Sequence, residues 1–240
     1  INSINDKLTI MAWVKTLGDL NGENPRIIDR SEGNGGGTDR WFLTHTSSNI
    51  LQFGLGQGAT QTVTGSSPLT IGEWIAVAAV YDAGGVTLYV NGTPDGSGNI
   101  SINDISHVEN VAMSIGSVNG DNSFWNGSLD DIHIWNTALT QSEIQQYMNC
   151  PPTGSEAGLV GYWNFEEGTG SVVNDLSGNG NNGTINGASW SNDVPNQTCG
   201  GCTATDSVYI ELTELNFDLG ADTISLCDTI TTLDAGSGYG

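Results

Sequence analysis

Basic residues run out early in this chain. Of its 240 residues five are Lys or Arg, against 27 Asp or Glu, a formal net charge of −22. The five, Lys7, Lys15, Arg26, Arg30 and Arg40, all fall in the first 40 positions, and none follows from Trp41 to Gly240. A chain so arranged has no basic patch for a phosphate backbone or an anionic bilayer surface, which argues against nucleic-acid and membrane-surface partners. No apolar run reaches the roughly 18 residues of a membrane-spanning helix, and no secretory leader pattern is visible. Cysteine is absent until Cys150, after which come Cys199, Cys202 and Cys227. Strand–helix–strand alternation is missing too, which argues against a parallel α/β fold.

Catalytic signatures are equally scarce. There is no Gly-x-Ser-x-Gly elbow, no phosphate-binding loop, and the three His (45, 107, 133) form no metalloprotease helix motif. Glu166 and Glu167 are adjacent, so on a strand they face opposite sides, a poor arrangement for a cooperating acid pair. Cys199-Gly-Gly-Cys202 spells C-x-x-C without the surrounding βαβ pattern of a redox site. The chain reads as a non-enzyme.

What is present is the texture of an all-β protein. Thirty-four Gly residues sit among Asn, Ser and Thr between short apolar alternations of period two. Strands are predicted over 8–15, 40–45, 49–55, 74–82, 86–92, 111–117 and 129–136, with a further one at GLVGYWNF and a short one at TINGASW. WIAVAAV, apolar throughout, reads as a strand buried on both faces. YDAGGVTLYVNG reads as a hairpin. One short helix is predicted after Thr140, where Thr140 and Glu143 form a capping box ahead of IQQYM.

The even cysteine count in an acidic, Gly- and Asn-rich chain points to disulfides and an extracellular setting. Cys150 is expected to pair with Cys199, closing a loop of about 50 residues worth roughly 3–4 kcal/mol, and Cys202 with Cys227. The start INSINDKLTI already borders a strand and reads as cut from a longer protein. From Cys202 the texture changes, so the domains are placed at 1–199 and 200–240, the second being a linker and the opening strands of another β domain.

The stretches LTIMAWVK, GEWIAVAAVYD, VTLYVNG, FWNGSLDDIHIWNTALTQSEI and LVGYWNFEEGTGSVVNDLSGNGNNGT together resemble the laminin-G-like, concanavalin A-like lectin/glucanase jelly rolls over about 1–198. The resemblance implies two antiparallel sheets packed face to face. The family's usual first strand is missing ahead of LTIMAWVK, so either GLVGYWNF takes its place or the sheet lacks an edge. The glucanase relatives' Glu-x-Asp-x-x-Glu string does not occur. The tail resembles the Ig-like or PKD-like repeats of bacterial surface proteins secreted by the type IX route. Its Asp206-Ser207-Val208, Asp222-Thr223-Ile224 and Asp228-Thr229-Ile230 resemble that group's O-glycan acceptors, although ordinary strand alternation explains them as well.

Two constellations stand out as candidate sites. In LDDIHIW, Asp130 shares strand parity with Ile132 and Ile134, so it is expected to point inward, where an unpaired charge costs several kcal/mol. The resemblance places it near the loop DLSGNGNNGT. Asp130, Asp175, Asn179 and Asn181 would then form an oxygen shell for Ca²⁺, or Asp130 accepts loop N–H bonds with no metal. A second loop, Asp19, Asn21 and Glu23, lacks the distant Glu of a calcium loop and reads as a solvated turn. For a glycan, aromatic platforms with amide and carboxylate partners are expected: Trp41, Phe124 and Trp125, with Asn119, Asp121 and Asn126 nearby. Trp13, Trp74, Trp135 and Trp163 are expected in the core. The expected function is an extracellular, non-catalytic binding or adhesion module, calcium-stabilised and carbohydrate-binding, its partners a glycan or a host or neighbour cell-surface component and the next domains of its own chain. A structural spacer of a surface fibre and an accessory domain of a polysaccharide-degrading enzyme are the alternatives.

Overall fold

The computed structural model describes residues 4–19, 24–31, 40–57, 59–102, 105, 112–118, 123–197 and 199. The chain divides into two units, Ile1–Gln197 and Thr198–Gly240. The expected second β domain, with Cys202, Cys227 and the three Asp-Ser/Thr motifs, lies outside the described residues, as do Asn21, Glu23, Asn119 and Asp121.

The first unit begins with β1 (Lys7–Thr16), β2 (Arg26–Ser31), β3 (Arg40–His45), β4 (Ile50–Gln57), β5 (Ala59–Pro68), β6 (Ile75–Asp82), β7 (Gly85–Val90) and β8 (Thr93–Asn99). It continues with β9 (Met113–Ile115), β10 (Gly127–Trp135), α1 (Gln141–Asn149), β11 (Leu159–Trp163), β12 (Val172–Val173) and β13 (Gly183–Thr184). Two antiparallel sheets result, one ordered β11-β10-β1-β6-β7-β8 and one ordered β5-β4-β3-β2-β9, with β12 and β13 as a separate small ladder. Side chains of the two inner faces form the main core, among them Leu8, Ile10, Val14, Trp41, Leu43, Phe53, Val77, Tyr81, Ile132 and Ile134. This is the two-sheet sandwich that the alternating apolar pattern calls for.

The six-stranded sheet buries its outer face as well. Met11, Ala78, Val80, Trp135 and Tyr162 pack there against Ile144 of α1. That is why β6 is apolar from Ile75 to Tyr81: Ile75, Val77, Ala79 and Tyr81 serve the main core, while Ala78 and Val80 serve the outer cluster. The helix begins where its sequence demands. Thr140 Oγ1 accepts from the Glu143 N–H and the Glu143 carboxylate accepts from the Thr140 N–H at 2.7 Å, a complete capping box. The β6–β7 hairpin closes through Ala83 and Gly84, both at positive φ (45° and 99°), as a two-residue turn of that twist requires.

GLVGYWNF supplies the edge in question: β11 pairs with β10 and ends the six-stranded sheet. Its outward main-chain groups are covered by a loop rather than a strand. Leu176 N donates to Tyr162 O at 2.8 Å, Tyr162 N donates to Asp175 Oδ1 at 3.0 Å, and Asn181 Nδ2 donates to Val160 O at 2.9 Å. At the opposite edges β5 and β8 approach each other, and the Asp95 carboxylate accepts from Ser66 N and Ser67 N, both at 3.0 Å. Both devices remove open edges that would otherwise recruit another chain. Cys150 and Cys199 are both disulfide-bonded.

Candidate functional site

Four segments meet at one end of the sandwich. Leu17 N donates to Asn126 O, Gly72 N to Thr16 O and Arg26 N to Ser123 O, all within 2.8–2.9 Å. The approach to β10 is thereby tied to the end of β1, the turn before β6 and the start of β2. Asn126 Nδ2 adds a bond to Gly18 O at 3.0 Å. Beneath lies His45, whose Nδ1 sits 2.8 Å from Thr46 O. A carbonyl only accepts, so Nδ1 carries the proton and Nε2 accepts from Thr16 Oγ1 at 3.0 Å. Burial holds the His45 pKa below its ordinary value, which favours this neutral form.

The two aromatics of this rim have different roles. Trp125 is half-buried, packs edge-on against His45 at 5.1 Å between centroids and donates Nε1–H to Ser128 O at 3.1 Å. Phe124 is 60 % exposed. Leu17 and Ile71, on the segments tied to the same end, are exposed too, so this rim holds three of the six exposed large apolar side chains among the described residues. Trp41 is no platform: it is fully buried in the core between the sheets, because its place on β3 opposite Leu55 turns it inward. Of the predicted ligand set, the rim therefore brings together Phe124, Trp125 and Asn126 and leaves Trp41 out. Trp135 and Trp163 are buried as expected, whereas Trp74 precedes β6 and is half-buried, donating Nε1–H to Asp193 Oδ1 at 3.1 Å. Trp13 is also half-buried and donates to Met148 O on α1 at 3.1 Å.

The predicted calcium set comes apart for a local reason. Asp131 sits at φ 46° and inserts a bulge into β10, so that the ladder to β1 passes from Met11↔His133 to Trp13↔Asp130. One inserted residue reverses the face of everything beyond it. Asp130 therefore shares the face of Trp13, toward α1, and not that of Ile132 and Ile134. Its Oδ1 accepts from Asp131 N at 2.9 Å, and it is 8 % exposed. Burial, together with the charges of Asp131 and Glu166, pushes its pKa up to about 7. Asp131 Oδ1 accepts from Tyr162 Oη at 2.9 Å, and burial raises that carboxyl as well.

Asp175 forms a different centre. Its Oδ1 accepts from Tyr162 N (3.0 Å), Ser177 N (3.0 Å) and Ser177 Oγ (2.6 Å), and its Oδ2 from Asn181 N (2.9 Å) and Asn181 Nδ2 (2.7 Å). Asn179 turns its Nδ2 toward Leu159 O at 3.2 Å. Burial alone would raise the Asp175 pKa, but the bonds from Ser177, Tyr162 and Asn181 outweigh it and hold the carboxyl below its ordinary value. Five donors converge on this carboxylate, and Asn179 and Asn181 aim amide N–H groups where a cation needs oxygens. The residues do not fit a calcium ion shared by Asp130 and Asp175. Among the described residues no group of three His, Cys, Asp or Glu side chains is placed to hold a metal.

Further along β10 lies His133, buried among Trp135, Tyr147 and Tyr162 and accepting from Trp135 Nε1 at 2.8 Å; burial pushes its pKa down to about 3. The two groups act oppositely on stability. Asp130 is protonated in the folded chain up to about pH 7, so its neutral form stabilises below the ordinary carboxylate pKa and that contribution is lost as pH rises to 7. His133 binds its proton more readily unfolded, so its contribution grows with pH between about 3 and 6.5. Asp130→Asn isolates the first effect. Its melting temperature relative to the unsubstituted chain should move in its favour by about 5 °C between pH 4 and pH 8. A difference independent of pH in paired melts would refute the buried protonated carboxyl.

A family profile described as the concanavalin A-like lectin/glucanases superfamily, of laminin-G type, matches residues 2–145. The chain belongs to that superfamily. The described sandwich of this superfamily member continues beyond the match, through β11 and the Asp175 loop. No curated protein matches the chain. Among solved structures, a Bacteroides ovatus protein to which carbohydrate binding is ascribed is similar at 22 % identity and TM-score 0.63, over 77 % of this chain and 53 % of that one. The chain thus spans about half the length of that relative. The CBM40 domain of a Ruminococcus gnavus IT-sialidase, solved with α2,3-sialyllactose, is similar at 17 % identity and TM-score 0.50, over 59 % of this chain and 82 % of that one. At these identities the likeness is one of fold. No described helix is long and apolar enough to cross a membrane.

Proposed function

We propose that this chain is a non-catalytic carbohydrate-binding module of an extracellular modular protein, and that its ligand meets the rim carrying Phe124. The observation that carries this is the division of labour in Phe124-Trp125: the indole is pinned into the fold while the neighbouring ring is held out in solvent. A flat apolar ring beside an amide suits a pyranose, which offers one C–H face and a rim of hydroxyls. Carbohydrate binding ascribed to the Bacteroides ovatus relative and sialyllactose bound by the CBM40 domain support the class. Three carboxylates are engaged within the fold: Asp130 accepts from Asp131 N, Asp131 from Tyr162 Oη, and Glu167 from Asn174 N at 2.7 Å. The disulfide-bonded Cys150 and Cys199 support an oxidising, extracellular setting.

The sealed edges at β11 and β5–β8 equally suit a self-contained bead, the spacer reading. Binding of the purified chain to a glycan panel, repeated with Phe124→Ala, separates the two. A module binds and loses binding on substitution; a spacer binds nothing, or binds unaltered by the change.

A further inference from the structure

We propose that the glycan taken at this rim is electrically neutral. The inference rests on the glycan-binding reading above and adds the ligand's charge class, which it derives from where this chain's few cations are spent. Recognition of a carboxylated or sulfated sugar needs an available ammonium or, better, a guanidinium fork. Four of the five basic side chains are described, and each is already engaged. Lys7 Nζ lies 3.6 Å from Asp82 Oδ1, and Lys15 Nζ lies 2.7 Å from Asp193 Oδ2. Arg30 is buried on β2, opposite Trp41, and has partners of its own.

Arg26 is tied to the rim, since its main-chain N–H donates to Ser123 O beside Phe124. Its guanidinium is held on three sides. Nε donates to Asp29 Oδ2 at 3.2 Å, Nη1 donates to Asn24 O at 2.9 Å, and the plane rests on the Phe42 ring at 4.1 Å. Asp29 is buried. Withdrawing Arg26 to meet a ligand anion would strand that carboxylate out of water, a penalty of several kcal/mol. The pairs of Lys7 and Lys15 are exposed and weak, yet each lysine is neutralised where it stands. Over them lies the field of a chain with net charge −22, which repels a polyanion at long range. What the rim presents carries no free cation: the Phe124 ring, Leu17, Ile71 and the Asn126 amide, with the Glu73 carboxylate exposed beside Gly72. Those groups match the C–H faces and hydroxyls of a neutral sugar and offer a carboxylate or sulfate ester no counter-charge.

The test uses the full chain and pairs of glycans that differ in charge alone: lactose against sialyllactose, a neutral glucan against its carboxymethylated form, a neutral galactan against a sulfated one. Affinity electrophoresis and array binding are read in 50 mM and 500 mM NaCl. The expected result is that every glycan bound is a neutral member. Its charged partner should bind at least about tenfold more weakly at low salt, with the gap narrowing at high salt as repulsion is screened. A charged member that binds as well or better, with affinity falling as salt rises, overturns the proposal. Arg40→Gln then shows whether the remaining basic residue receives the anion, and a loss of binding in that variant confirms the overturning. Binding of neither class overturns the glycan-binding reading itself and this inference with it, an outcome distinct from binding of the wrong class.

Discussion

Asp175→Ala should lower the melting temperature by about 10 °C, while EGTA added to the unsubstituted chain should leave it unchanged. The substitution removes a buried carboxylate that accepts five hydrogen bonds from Tyr162, Ser177 and Asn181. It strands the Tyr162 N–H on the open side of β11 and releases the loop that covers that edge. Losing the partner of several buried donors costs about 3–5 kcal/mol, and in a domain of this size each kcal/mol corresponds to about 2–4 °C. Asp175→Asn should fall between, since an amide keeps one acceptor and loses the charge that strengthens all five bonds. The pH dependence has a definite sign. The Asp175 pKa is depressed in the folded chain, so its contribution is full above the ordinary carboxylate pKa of about 4 and is lost as pH falls through the lower folded value. Calorimetry of the three proteins at pH 7 and pH 3, with and without EGTA, decides the matter. A drop of only a degree or two in the alanine variant would show that the five bonds to Asp175 do not hold the loop, and an EGTA effect as large as the substitution's would show that a cation does.

Most strands that bury a face show in the sequence, and the strands that bury no face stay hidden. The exception is β2 (RIIDRS), buried from Ile27 to Ser31 but missed because its charged residues break the apolar alternation. β1, β3, β4, β6, β7 and β10 announce themselves through alternation because one parity of each enters the core. β5 (ATQTVTGSSP) and β8 (TPDGSGN) expose nearly every residue, and they are held by main-chain ladders and by Asp95. Such strands carry no period-two signal, and Pro94 with Gly96 and Gly98 makes β8 read as a turn. The helix was legible to the residue because a capping box is a local contract between Thr140 and Glu143. The candidate sites were legible only in part. Asp175 and its Asn-rich loop were singled out by composition, and they do form a centre, but its polarity (donors around an anion) depends on which way each amide turns. Asp130 was misplaced by parity, since a bulge at a non-Gly residue in the left-handed region leaves no mark in LDDIHIW. Trp41 and Phe124 are both aromatic residues beside polar neighbours. Only the strand register, with Trp41 opposite Leu55, separates the core ring from the exposed one.

Phe124→Ala and Trp125→Ala, adjacent in sequence, should fail in opposite ways. Phe124 is 60 % exposed and contributes little to packing, so its loss should move the melting temperature by no more than a degree or so. If the rim is the glycan platform, the same change should weaken binding by at least about tenfold, since truncating an aromatic contact commonly costs 1–2 kcal/mol or more. Trp125 packs against the core, meets His45 edge-on and donates to Ser128 O. Truncating it leaves a cavity beside a neutral histidine and should cost about 3–5 kcal/mol, unfolding the rim and reducing binding only as a consequence. The pair separates contact from scaffold. Isothermal titration with whichever glycan the panel identifies, run beside calorimetric melts, gives both numbers for each variant. Phe124→Tyr, which keeps the ring, should keep the affinity, whereas Phe124→Leu keeps apolar area without the flat face and should bind as poorly as alanine. Should leucine bind like phenylalanine, the rim acts through apolar area alone and not through a ring stacked on a sugar. Should neither alanine nor leucine alter binding, the ligand meets the sandwich elsewhere.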